Sequence, residues 1–220
     1  MDADYFNALL PRIGRALSDT LLMVTVSFVF ATILGLGLGL LLYATRPGNL
    51  LQNRAVFSGL NVVINVVRPI PFIILAVSII PFTRLLIGTS IGPLAATVPI
   101  TIVAAMAIAR IVESNLVAVD PGAIEAGVAM GASPARVLFT IVIPESLGPL
   151  TLGLTYIVVA LVDTTAVAGA IGGGGLGDLA IKYGYQRFDW FVVLVIVVIL
   201  IALVQLAQWL GNLVSRKVMH

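Results

Sequence analysis

Asp163 is the one carboxylate placed well inside a long apolar run of this sequence, and two hydroxyl residues, Thr164 and Thr165, follow it. A carboxylate near the middle of a membrane span costs about 2.5–3.5 kcal/mol on insertion scales, so it should face the interior of an assembly and not lipid. Two chemistries fit. It could hold the ammonium of a small substrate along a wet path, or it could bond a neighbouring hydroxyl or backbone group while protonated. Ala160, Ala166 and Ala168 keep that helix slim, which suits a path or a close helix seam equally. Arg68, beside Pro69 and Pro71, could line the same kind of path or sit near an interface against a carbonyl. Asp163, Thr164 and Arg68 are the candidate pathway residues.

Catalytic chemistry finds no foothold. There is no cysteine, and the single histidine is His220 at the chain's end, so thiolate, imidazole-metal and Ser/His arrangements are excluded. The glycine run Gly172–Gly177 lacks the lysine and hydroxyl that a phosphate loop requires, and it reads as a flexible hinge between a span and an outer surface helix. An intramembrane aspartyl protease would need a second membrane carboxylate beside Asp163. A net charge of +2 with no Lys/Arg block gives no reason to expect a nucleic-acid partner. The sequence therefore predicts no catalytic residue, no metal site and no cofactor bound by this chain.

A second group of residues carries a different signal. Asp120 followed by Pro121 is a cap and first-position proline for a helix. Gly131 can take the left-handed conformation that stops that helix, and Ser133-Pro134 repeats the start signal for another, with Pro144 near its end. Two short capped helices with a tight corner are expected between apolar runs, where an ordinary loop needs only a few residues.

The elements that must position these residues are membrane helices. The chain has 220 residues, 60% hydrophobic and 10% charged, with a mean hydropathy of +1.15. Soluble domains are nearer half apolar and a quarter charged. Apolar runs predict an all-α integral membrane protein with five transmembrane helices, at roughly 20–44, 69–87, 92–112, 147–171 and 190–212, and a soluble-looking segment over 113–145. All of it, 1–220, reads as a single transmembrane domain. Before the first span, Tyr5, Phe6, Leu9, Leu10, Ile13 and Leu17 form an apolar stripe opposite Arg12 and Arg15, as a short interfacial helix would. Within that span Ala31, Gly35 and Gly39 fall on one face and invite close helix packing. Asp2 and Asp4 argue against a cleaved leader. Arg216 and Lys217 in the tail put the C-terminus in the cytoplasm and, with five spans, the N-terminus outside.

The 113–145 segment resembles the cytoplasmic signature of ABC-importer permeases. That signature reads Glu-Ala-Ala, three residues, Gly, nine residues, Ile, any residue, Leu-Pro, and Glu125, Ala126, Gly131, Ile141 and Pro144 match it. Gly127 stands at the third motif position and Ile143 at the leucine. The resemblance implies a type I importer permease fold. In that fold the first of the two short helices is a coupling helix seated on a separate ATPase, with Glu125, Ala126, Gly127, Gly131, Ile141 and Pro144 as the ATPase-coupling residues. Over nearly the full chain the sequence is similar to the methionine-uptake branch. The similarity lies in the stretches 41–48, 68–75, 80–84, 88–92 and 173–177, and in Tyr183-Gly184-Tyr185. It departs at Asp163-Thr164-Thr165, where members often carry Gly-Tyr-Ser. The branch implies a homodimer in the bacterial inner membrane, two ATP-binding cassette subunits that bind the ATP and magnesium, and an extracytoplasmic substrate-binding protein. The substrate it implies is D- or L-methionine. Another small amino acid or metabolite is the alternative cargo, and a non-ABC channel the alternative class.

Overall fold

In the computed structural model the chain is described over residues 3–49 and 51–218, and every regular element there is helical. Asp2 and His220 lie outside the described residues, as do the side chains of Asp4, Tyr5 and Phe6.

Helix α1 runs unbroken from Ala3 to Thr45. The interfacial helix and the first span expected on either side of Asp19 are thus one element, because no glycine or proline interrupts Arg15–Thr20 and Ser18 turns its hydroxyl back onto the Arg15 carbonyl at 2.8 Å. Asn53 caps α2 (Arg54–Val67) by accepting from the amides of Ala55 and Val56. Helices α3 (Phe72–Ser78) and α4 (Ile80–Ile87) follow the Arg68–Pro71 break. The second span expected over 69–87 is therefore split at Ile79. Pro81 in the first turn of α4 has no amide to give and its ring would press on the preceding turn. Helix α5 (Pro93–Val117) absorbs Pro99 without a break.

The short helix α6 (Pro121–Ala129) has the predicted start. The second short helix differs from expectation. Helix α7 (Pro134–Val137) does not end at Pro144 but passes through a wide π-type turn, Leu138–Val142, into α8 (Ile143–Ala168). Widening the turn moves the carbonyl that the Pro144 ring would otherwise strike, so the helix continues. A kink at Ile171 and Gly172 (φ 92°) ends this helix, and α9 (Gly175–Leu179) and a second wide turn (Ala180–Tyr185) lead to α10 (Trp190–Val218).

Among the described residues four stretches are long and apolar enough to cross a membrane: Leu9–Thr45, Pro93–Val117, Pro134–Gly173 and Trp190–Lys217. The broken pair α2 and α3 supplies a fifth if it counts as one span. The Trp190–Lys217 stretch is the most apolar, with a mean hydropathy of 3.1, and little of it is buried, so lipid or another protein must cover most of it.

The chain packs as two compact units. One comprises Met1–Phe30, Ile70–Ile102 and Val158–Ala207. Its core joins Leu9, Ala16, Leu176, Leu179, Tyr183, Val192 and Ile196, with Ile13 and Leu17 packed against it. Leu9, Ile13 and Leu17 of the N-terminal stripe are thereby packed on protein, while Leu10 stays 63% exposed. The other unit comprises Ala31–Pro69, Val103–Ile157 and Gln208–His220. Leu42, Ile64 and Ala109 form its central cluster, and α1 and α5 cross there with almost no gap. A Cβ on Gly35 would lie 2.9 Å from the Ala105 carbonyl oxygen, and one on Gly39 2.7 Å from that of Ala109.

Candidate functional site

Helix α6 is fixed at both ends by local hydrogen bonds. The Asp120 carboxylate accepts from the Gly122 amide at 2.9 Å, which satisfies one of the free donors of the first turn. At the other end Gly131 adopts φ 80°, and two hydrogen bonds close a Schellman corner: Ala132 N–H to the Gly127 carbonyl at 3.1 Å and Gly131 N–H to that of Val128 at 2.9 Å. The Ser133 hydroxyl then accepts from the Arg136 amide and starts α7.

Three of the predicted motif residues now have separate physical jobs. Gly127 is the only buried residue of α6, because Val137 and Ile141 lie over it: a Cβ there would stand 2.6 Å from Ile141 Cδ1. Gly131 makes the corner, and Ile141 closes the packing. Glu125 and Ala126 are exposed on the outer side, and Pro144 is exposed in the first turn of α8. Around Glu125 and Ala126 the outer surface carries Val128 at 52% and Met130 at 81% exposure. These two side chains give the short capped helix, which lies outside the long apolar stretches, an exposed apolar side. Sequence reasoning missed Val128 and Met130, since helical spacing alone does not say which side of so short a helix is covered.

Beside this helix lies an open cleft of about 380 Å³. Its walls are the 46–49 turn, the end of α5, and Ile124 and Glu125 of α6. A polar cluster lies in the same unit. Glu113 on α5 is 5% exposed. It accepts a hydrogen bond from Arg110 and lies 3.8 Å from Arg46 Nη1. Arg110 also donates to the Asn61 side-chain oxygen, and at 2.7 Å to that of Asn65. The sequence placed Glu113 at the start of a soluble segment. The structure instead buries it in α5, since α5 runs on to Val117.

The glycine run is a correction. Gly172–Gly177 is no flexible hinge: Gly173, Gly175 and Gly177 are buried. The buried Leu176 amide donates to Thr20 Oγ1 at 2.9 Å, and the Gly92 amide to the Gly172 carbonyl at 2.9 Å. Gly175 sits at φ 80°, where a Cβ would also come within 2.7 Å of Thr20 Oγ1. Glycine is used here to turn and pack, with no freedom left over. In the same unit a cavity of about 60 Å³ lies among Phe72, Ala76, Thr83, Ala96, Pro99 and Gly173.

Of the pathway candidates, Asp163 is exposed on α8, with no hydrogen bond or ion pair among the described residues. Thr164 gives its hydroxyl to the Ala160 carbonyl at 2.8 Å, and Thr165 to that of Val162 at 2.7 Å, so both hydroxyl protons are used within their own helix. Arg68 is exposed at the end of α2, its amide bonded to the Ile64 carbonyl.

Residues 32–220 match the family described as binding-protein-dependent transport system inner membrane component. The chain is 43% identical over 202 residues to the probable D-methionine transport system permease protein MetI of Vibrio cholerae, covering 92% of this chain and 90% of that one. It is 43% identical over 175 residues to the methionine import system permease protein MetP of Bacillus subtilis, covering 80% and 79%. A solved structure of the MetNI methionine ABC transporter in an inward-facing conformation contains a chain that superposes with a TM-score of 0.92 at 40% identity, covering 99% of both chains.

Proposed function

The chain belongs to the family of binding-protein-dependent transport system inner membrane components, and from that premise we propose that it forms the translocation path of an ATP-driven importer for methionine, in the D or L form. It is a membrane permease with no cofactor of its own. Nucleotide and magnesium belong to the ATPase subunits with which it works. The assembly in this reading holds two copies of the chain, two ATPases and an external substrate-binding protein.

The observation that carries the reading is the geometry of α6. It is short, capped at both ends, pinned through Gly127 to Val137 and Ile141, and apolar on its outer side at Val128 and Met130. Such a helix can be pushed without unwinding, so force applied to it moves the spans. In this reading Glu125 and Ala126 meet the ATPase, while Gly127, Gly131, Ile141 and Pro144 hold the helix at the right angle. The side bearing α6 is cytoplasmic, as is the C-terminus with Arg216 and Lys217 in the last turn of α10. The N-terminus and Asp178 are external. The poorly buried Trp190–Lys217 stretch fits a single membrane domain of residues 1–220 that meets lipid and a second copy. Asp163, Thr164 and Arg68 line the substrate path. Asp163, exposed and unpaired among the described residues, is free to take an ammonium group.

Vesicles containing the reconstituted complex should take up labelled methionine when ATP is supplied, and Glu125→Lys should abolish that uptake by setting a repulsive charge in the contact. In intact cells single cysteines at 125 and 178 should label from the inside and the outside respectively. Uptake of another amino acid in preference to methionine would remove the cargo assignment, and external labelling at 125 would remove the coupling assignment.

A further inference from the structure

We propose that Glu113 is a positioning residue for transport, one that locks the end of α5 to α1 and α2 so that displacement of α6 enters the membrane as a single rigid movement. The inference rests on the reading of α6 as the element that receives force from the ATPase.

Helix α5 leads through residues 118–120 directly into α6. A movement of α6 is therefore passed along the chain to α5. Near that end of α5, Glu113 is almost completely buried, and its carboxylate lies against two guanidiniums from different places in the chain. Arg110 is on α5 itself, and Arg46 follows the last residue of α1. Arg110 is in turn held by Asn61 and Asn65 of α2, and Asn65 donates its amide to the Asn61 side-chain oxygen at 3.3 Å. Three helices thus share one polar cluster. The α1–α5 crossing adds a second constraint, since Gly35 and Gly39 let the two backbones touch.

Stability does not account for this cluster. A buried ion pair is commonly no more stabilising than well-packed apolar residues of the same volume. What it supplies is geometry: apolar surfaces can slide past one another, whereas a guanidinium held by a carboxylate and two amide oxygens cannot shift without breaking directed bonds. Glu113 is also the only carboxylate shown in contact with Arg46 and Arg110 among the described residues. Neutralising it leaves two cations facing one another.

The test is Glu113→Gln in the complete reconstituted complex, with ATP hydrolysis and methionine import measured on the same vesicles. The complex should assemble and hydrolyse ATP, while import per ATP consumed falls by about tenfold. Glu113→Asp, which keeps the charge on a shorter arm, should recover part of that ratio. A role confined to stability would change the amount of assembled complex and leave the ratio alone, and an unchanged ratio in Glu113→Gln overturns the proposal. Should that variant fail to assemble, Arg46→Gln decides: its head is 45% exposed, so its loss leaves no buried hole. A fall in its ratio supports the proposal and an unchanged ratio overturns it. A wild-type complex that shows no ATP-driven methionine import overturns the functional reading itself, an outcome visible before any variant is compared.

Discussion

A substitution series at Gly131 isolates backbone conformation from packing. A Cβ at this position would meet nothing within 4 Å, while φ is +80°. The left-handed conformation costs an L-residue roughly 1–2 kcal/mol, with asparagine adopting it far more readily than other residues. Opening the corner instead would forfeit the hydrogen bonds from Ala132 to Gly127 and from Gly131 to Val128, each worth about 0.5–1.5 kcal/mol. The two ways of accommodating a side chain are therefore close in energy. Alanine should keep the corner under strain at about 1 kcal/mol. Valine, β-branched and a true outlier at positive φ, should reach about 2 kcal/mol or more and let the corner open. At roughly tenfold per 1.4 kcal/mol, ATP-driven methionine uptake at matched protein levels should fall in the order Gly, Asn, Ala, Val. The amount of protein in the membrane should stay constant, since no core contact is touched. Valine transporting as well as glycine, or asparagine worse than alanine, would show that the left-handed corner does not set the angle of α6.

Two further substitutions test other parts of the reading. Gly39→Leu forces α1 away from the Ala109 carbonyl and Val112; overpacking of this kind costs about 1–3 kcal/mol, against a helix-propensity gain of under ~1 kcal/mol. Thermal unfolding in detergent should show a clear loss of stability, while Gly37→Leu, with nothing within 4 Å of its Cβ, should show none; equal behaviour of the two would contradict the close crossing. Asp163→Asn keeps shape and removes charge, and losing a charge-assisted hydrogen bond worth ~1.5–3 kcal/mol should lower uptake about tenfold or more in a normally assembled complex. Normal uptake would end the ammonium-binding role.

What could be read from the sequence was local. Asp120-Pro121, Gly131 and Ser133-Pro134 each act through bonds to residues two to five positions away, and all three occur in the structure as their chemistry dictates. The packing role of Gly35 and Gly39 was also legible, because small residues on one helical face have few other uses in lipid. Their partners were not: that Gly35 meets Ile108 and Gly39 meets Val112 depends on which helix is the neighbour. The same limit hid the Glu113 cluster, whose members Asn61 and Arg110 are 49 positions apart.

Two of the differences from expectation, at Pro144 and in the glycine run, share a cause: a residue's effect on the backbone depends on the turn beside it as well as on its type. Pro144 breaks an ideal α-helix, but the preceding π-type turn shifts the register of carbonyls and removes the clash. Glycines loosen a chain in water, but at Gly175 and Gly177 the missing side chains are replaced at once by Thr20, Met23 and the Ala166 backbone. In both places the surroundings supply what the residue lacks. For a permease this has a mechanical consequence. Pro144, Gly175 and Gly177, residue types that in isolation mark points of bending, are built into continuous helix and tight packing, in contrast to the Arg68–Pro71 break. In the stretch from α5 to Ile141, Pro99 lies within a helix, Pro121 and Pro134 start helices, Gly127 packs under Ile141 and Gly131 forms the bonded corner; in the coupling reading a displacement at α6 is passed to α5 and to the turn that leads into α8.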